Sequence, residues 1–198
     1  MATPNLTVAI LAGGAASRLG GRDKGLEVAG GMRLIERARA WCERAITHDV
    51  DFLIVANRHL DEYARYGRVR SDATEGFQGP LAGVASALEG AGAPRVLTLP
   101  VDCPSPPDDL AARLLDALGE NDAVVAHDGE RRQPLFALYR RELAASASKA
   151  AANGQGVWEW QDTIGAVEVD FADRRQQFHN LNTPAEFAAY ADAARQRD

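Results

Sequence analysis

The stretch Leu11-Ala12-Gly13-Gly14-Ala15-Ala16-Ser17-Arg18-Leu19-Gly20-Gly21-Arg22-Asp23-Lys24-Gly25 directly continues the apolar run Val8–Leu11. A short continuous apolar run bounded by glycine reads as a strand buried on both faces. Five glycines in these 15 residues let the backbone pass close to a ligand and turn its N–H groups into a concave anion site. Arg18 and Lys24 add two cations of different geometry. The segment is neither G-x-x-x-x-G-K-[ST], because Gly25 follows Lys24, nor G-x-G-x-x-G.

Outward from this loop, apolar runs alternate with amphipathic segments. Phe52–Ala56 and Val96–Leu99 read as further buried strands, and Val69 sits in a weak strand ending at Asp72. Leu34–Ile46, Leu60–Tyr66, Leu81–Leu88 and Leu110–Leu118 read as helices, with Ala123–Ala126 and Leu135–Tyr139 as strands on either side of Asp128-Gly129. The pattern predicts one three-layer α/β/α domain over 1–198, with a mostly parallel sheet. In such sheets ligands bind outside the carboxyl ends of the strands. The segments after Leu11, Ala56 and Leu99, and Asp72 itself, fall at such ends.

Composition narrows the function classes. A chain of 198 residues with 46% hydrophobic residues, 25% charged residues and net charge −6 is ordinary for a globular domain. The acidic balance argues against nucleic-acid binding, and no apolar stretch approaches the ~20 residues of a membrane span. The N-terminus lacks a charged region followed by an apolar core, so a cytoplasmic protein is expected. Cys42 and Cys103 alone make neither a disulfide framework nor a zinc cage, and both read as small buried thiols. Of 22 basic residues only Lys24 and Lys149 are lysines. A compact ammonium and a planar guanidinium are not interchangeable at a phosphate site, so Lys24, inside the glycine loop, stands out.

Three further segments carry candidate chemistry. In Leu99-Pro100-Val101-Asp102-Cys103-Pro104, Asp102 at a strand end is either a Mg²⁺ ligand completed by substrate phosphates or a cap of the next turn. Gln78-Gly79-Pro80-Leu81-Ala82-Gly83 opens a helix whose free N–H groups either meet an anion or a base edge, or simply start the helix. In Asn180-Leu181-Asn182-Thr183-Pro184-Ala185-Glu186, Thr183 and Glu186 form a capping box. Asn180 and Asn182 alternate on one side of the lead-in, and either offer amides to a polar ligand or bond locally.

Together these segments resemble the molybdenum cofactor guanylyltransferases, also called molybdopterin-guanine dinucleotide synthases. The elements LAGG, DKG, VANRH, GPLAG, DCP, QPLFAL and NLNTPAE come in that family's order from Leu11 to Glu186. The first segment alone would indicate the wider nucleotidyltransferase superfamily with its Rossmann-like fold. DKG, GPLAG and NLNTPAE narrow it to the guanylyl branch. The cytidylyl relatives usually carry an LAAG-type loop, which this chain lacks.

The resemblance implies transfer of GMP from GTP to the terminal phosphate of molybdopterin, with Mg²⁺ as cofactor and pyrophosphate as product. It implies GTP contacts at Leu11, Ala12, Gly13, Gly14, Lys24, Asn57, Asp72 and Asp102, with Mg²⁺ on Asp102. Arg18, Lys24 and Asp102 would be catalytic, and Asn180, Asn182 and Gln133, beside Arg131 and Arg132, would face the pterin. Val55 stands where members of the family can carry Asn. Because the attacking phosphate is already anionic, no strong general base is needed, and His48, His59, His127 and His179 need no catalytic role. Molybdenum-insertion proteins and molybdoenzyme chaperones are further expected partners. A cytidylyl or sugar-phosphate nucleotidyltransferase and a non-catalytic GTP-binding adaptor are the alternatives.

Overall fold

Strand β1 (Leu6–Leu11) is buried along its whole length because both faces of its sheet are covered. On one face Leu6, Val8 and Ile10 pack with Leu34, Ile35 and Trp41 of helix α1 (Leu34–Ala45). On the other, Ala9 and Leu11 pack with Leu81, Val84 and Leu88 of helix α3 (Pro80–Gly90). The period-2 alternation of a strand thus divides one apolar run between two cores. The computed structural model describes residues 4–13, 23–46, 49–71 and 79–195.

After β1 a two-stranded hairpin, β2 (Val28–Ala29) and β3 (Met32–Arg33), leads into α1. Strand β4 (Val50–Val55), short helix α2 (Leu60–Tyr63) and β5 (Arg68–Arg70) extend the sheet to one side. Helix α3 then returns the chain to β6 (Arg95–Pro100), on the other side of β1. Helix α4 (Leu110–Leu118) precedes the hairpin of β7 (Ala123–His127) and β8 (Arg132–Arg140). Helices α5 (Ala144–Ala152) and α6 (Val157–Thr163), strand β9 (Val167–Asp170) and helix α7 (Pro184–Arg195) complete the chain.

The sheet order is β5-β4-β1-β6-β8-β7-β9. All neighbouring pairs are parallel except those made by β8, which runs antiparallel to β6 and β7. Helices α1 and α4 cover one face, and α3, α5 and α6 the other. The mostly parallel three-layer reading therefore holds, with two additions. Strand β9 was not legible because Val167-Glu168-Val169-Asp170 is a short, largely exposed edge strand with only two apolar residues. The β2–β3 hairpin is too short to announce itself.

The chain leaves β1 in opposite directions toward β4 and β6, which makes their shared carboxyl end a switch point. Leu11 stands level with Val55 on one side and Pro100 on the other, so three strands end at one height. The Asp128-Gly129 turn anchors the opposite half. Asp128 Oδ1 accepts the amides of Glu130 (2.9 Å) and Arg131 (2.8 Å), and Oδ2 accepts Gln133 Nε2 at 2.6 Å. Burial alone would raise the Asp128 pKa; the Arg131 and Glu130 amides, with Gln133, hold it below the usual carboxylate range. Among the described residues no helix is long and apolar enough to cross a membrane.

Candidate active site

A cavity of about 210 Å³ opens at the carboxyl ends of β1, β4 and β6. Leu11, Ala12 and Gly13 form its floor, Val55 and Arg58 one wall, and Pro80 and Gly83 the opposite lip. Backbone bonds set this floor: Ala12 N donates to Val55 O at 2.8 Å, and Val101 N to Leu11 O at 3.1 Å. Helix α3 points its start at the cavity. Its N-cap is Gly79, at φ 132°, a conformation that disfavours any side chain, and among the described residues no side chain caps its first N–H groups. Those groups suit an anion or a base edge.

The Asp23-Lys24-Gly25 element is a single 3₁₀ turn locked from three sides. Asp23 Oδ1 accepts Gly25 N at 3.1 Å and the buried Tyr63 hydroxyl. Burial first, and Asp23 second, push the Tyr63 phenol well above its ordinary range, so it remains a neutral donor. A Cβ at Gly25 would overlap Tyr63 Oη and lie 3.1 Å from Val101 Cγ2. Glycine is needed here for space. With its neighbours fixed, Lys24 projects into the cavity, where Nζ donates to Asp102 Oδ2 at 2.8 Å and to Asn182 Oδ1 at 2.7 Å.

The Asn180–Asn182 lead-in reaches that point because Leu181 N donates to Asp102 O at 2.8 Å and Leu181 is buried. The capping box forms as read: Thr183 N donates to Glu186 Oε2 at 2.7 Å, and Glu186 N to Thr183 Oγ1 at 3.3 Å. Glu186 Oε2 also accepts Asn182 N at 2.6 Å, so one carboxylate holds both the helix start and the Asn182 backbone. These amides, Asn182 first, hold the Glu186 pKa below its ordinary value.

Two further cavities continue along the same edge. One, of about 330 Å³, lies beside Pro100, Gln133, Leu135, Trp158 and Asn180. The other, of about 380 Å³, lies beside Asp128, Arg131, Gln133 and His179. Pro100 and Leu135 also line the first cavity, so the first two adjoin.

The structure thus brings Leu11, Ala12, Gly13, Lys24 and Asp102 to one cavity. Asn182 joins them through Lys24, whereas Asn180 lines the second cavity. The two asparagines point to different places despite their alternation. Asn57 is exposed and lines none of these cavities; its neighbours Val55 and Arg58 line the first. Arg131 and Arg132 also line the second cavity, where the Arg132 guanidinium is bonded to Asp162 at 2.6 Å and Glu168 at 2.9 Å. Gly14, Arg18 and Asp72, like Gln78 and His48, lie outside the described residues.

Sequence reading missed Arg58, Tyr63 and Trp158. Tyr63 gave no signal, since its partner Asp23 lies 40 residues away. Trp158 did. Two residues apart on a helix are about 200° apart around its axis, so Trp158 and Trp160 could not share one core face. Cys103 is a buried thiol as read. Burial pushes its pKa up to about 12, and Sγ donates to Gln177 O at 3.2 Å.

With this geometry in place, comparison with known proteins is informative. Residues 8–167 match the family described as MobA-like NTP transferase domain. The chain is 37% identical to a molybdenum cofactor guanylyltransferase of Vibrio vulnificus, across 96% of this chain and 97% of that protein. It is 42% identical to one from a Shewanella species, across 88% and 89%. In fold it resembles molybdopterin-guanine dinucleotide biosynthesis protein A of Archaeoglobus fulgidus (TM-score 0.77, 21% identity), over 96% of this chain and 99% of that one. The match to the family and to relatives covered almost end to end places this chain in the molybdenum cofactor guanylyltransferase family.

Proposed function

We propose that this chain transfers GMP from GTP to the terminal phosphate of molybdopterin, with release of pyrophosphate, in a Mg²⁺-dependent reaction. The observation that carries the reading is Lys24, held between Asp102 and Asn182 at the mouth of a backbone-lined cavity. Leu11–Gly13 and the open start of α3 present amides for nucleotide recognition. Lys24 leaves its present partners to meet the triphosphate as a compact charge, and Arg18 of the glycine-rich segment is the second cation. Asn182 then releases or follows Lys24, which ties the acceptor-side lead-in to the occupancy of the nucleotide cavity.

The donor set suits Mg²⁺. Among the described residues no cluster of three or more His, Cys, Asp or Glu could hold a metal unaided. Mg²⁺ characteristically takes one or two carboxylates and fills its shell with substrate phosphates and water. Asp102 provides such a carboxylate at the cavity, and Asp23, which also lines it, has only its Oδ1 taken, by Tyr63 and the Gly25 amide. Bound there with the triphosphate, Mg²⁺ would neutralise charge on the departing pyrophosphate. The protein's part is orientation and fixed positive charge. An anionic acceptor phosphate attacks the α-phosphorus in line without a proton being removed.

The test is pyrophosphate release from GTP, ATP, CTP and UTP, each with and without molybdopterin and Mg²⁺. GTP alone should support release, and only with both present. Preference for CTP would favour a cytidylyl enzyme, and GTP binding without release would favour an adaptor.

A further inference from the structure

Tyr63 is fully buried, yet it lines none of the three cavities. A phenyl ring would fill its place in the core it shares with α1 equally well. What sets the tyrosine apart is its hydroxyl, which donates to Asp23 Oδ1. Gly25 gives its amide to the same Oδ1 at 3.1 Å, and its missing Cβ leaves room for Tyr63 Oη. Both chain neighbours of Lys24 thus meet one buried hydroxyl.

That hydroxyl is tied to the frame of the domain. His59, at φ 52°, turns the chain from β4 into α2. Glu62 pairs with Arg33, at the start of α1, and Tyr66 Oη donates to Glu36 Oε1 of α1 at 3.1 Å. The same segment supplies Arg58 to the wall of the nucleotide cavity, beyond Val55 at the end of β4. Wall and anchor are therefore one piece of chain. A lysine carries its ammonium on a flexible four-carbon stem, so the place of its Cα decides what Nζ can reach.

We propose that Tyr63 is a positioning residue of the transfer reaction: its hydroxyl, through Asp23, sets the Lys24 backbone so that Nζ can leave Asp102 and Asn182 and meet the triphosphate. This rests on the guanylyl-transfer reading above and assigns a role to a residue that touches no substrate. A nucleotide lying along the Val55–Arg58 wall then meets a lysine whose backbone is fixed relative to that wall, and orientation of this kind lowers the entropic part of the barrier.

A double-mutant cycle between Tyr63→Phe and Lys24→Ala tests this, read by calorimetric titration of inorganic triphosphate and by steady-state transfer. Tyr63→Phe keeps the buried ring, and it should weaken triphosphate binding, and lower kcat/KM for GTP, about fivefold, the scale of one lost hydrogen bond. In the Lys24→Ala background the same change should cost less than about 1.5-fold, because the group it positions is gone. Gly25→Ala disturbs the contact from the other side, and its loss of triphosphate affinity should likewise vanish without Lys24. Unchanged triphosphate affinity in folded Tyr63→Phe, equal losses with and without Lys24, or no triphosphate binding by the wild type overturns the proposal. Triphosphate binding needs no acceptor, so a wild type that binds it but transfers nothing to molybdopterin defeats the guanylyl-transfer reading, and the binding cycle alone then decides the role of Tyr63.

Discussion

The two halves of the candidate site are built on opposite plans. On the nucleotide side, β5, β4, β1 and β6 run parallel and end at one height, and the cavity floor is backbone: Leu11, Ala12, Gly13 and the uncapped start of α3. On the acceptor side, antiparallel β8 interrupts the parallel order, and the cavities are lined by side chains such as Gln133, Trp158 and Asn180. Backbone recognition asks for glycine and short contiguous motifs, while side-chain recognition collects residues from distant parts of the chain. The halves meet at one ammonium, Lys24, bonded to Asp102 and Asn182.

The comparison can be broken most forcefully at its junction. Asp102→Asn keeps the size and removes the charge, and turnover should fall ~10²-fold or more while the fold survives. Near-normal Mg²⁺-dependent activity in the folded variant would remove Asp102 from the site. Lys24→Ala should cost roughly 10–10²-fold in kcat/KM for GTP, as a hydrogen-bonded charge is lost. Lys24→Arg should recover only part of this, because a planar fork cannot reproduce a compact ammonium. Complete rescue in a kinetic assay would mean that charge alone matters there.

Smaller effects sharpen the acceptor side. Thr183→Ala should lower stability by ~1 kcal/mol through loss of the cap, a shift of about 2–4 °C in Tm, with both substrate KM values nearly unchanged. The pH dependence of Glu186 should be smaller still. Its pKa is depressed in the folded state, so its stabilisation is present above the ordinary glutamate value of ~4.3 and fades as pH falls through the lowered one. Melting curves of wild type and Glu186→Gln should therefore differ by a constant amount at neutral pH and converge in strong acid. A difference that grows on acidification would reverse the sign and contradict the assignment.

This division also accounts for what the sequence disclosed. Val8–Leu11 and its glycine loop placed the central strand and cavity floor, because burial on both faces and backbone approach leave signatures within 15 residues. The Thr183/Glu186 cap was legible for the same reason. The partnership of Asn182 with Lys24 was not, since it spans 158 residues and depends on Leu181 being tied to Asp102. Alternation placed Asn180 and Asn182 on one side, but Asn182 Oδ1 accepts from Lys24 whereas Asn180 lines the second cavity. Strand β9 escaped because an exposed edge strand has no apolar run to read, and Trp158 because its offset from Trp160 becomes a signal only once α6 is assigned as a helix.

The central claim is that the two halves are distinct surfaces joined through Lys24 and Asn182. Calorimetric titration of GTP and of molybdopterin into Asn180→Ala and Asn182→Ala tests it directly. Asn180→Ala should weaken molybdopterin binding by roughly 2–10-fold, the worth of one neutral hydrogen bond, and leave GTP affinity unchanged. Asn182→Ala should weaken both ligands, because it removes a partner of Lys24 as well as part of the lead-in. If Asn182→Ala leaves GTP affinity intact, or if the two variants behave alike, the halves are not joined at Lys24 and the account is wrong.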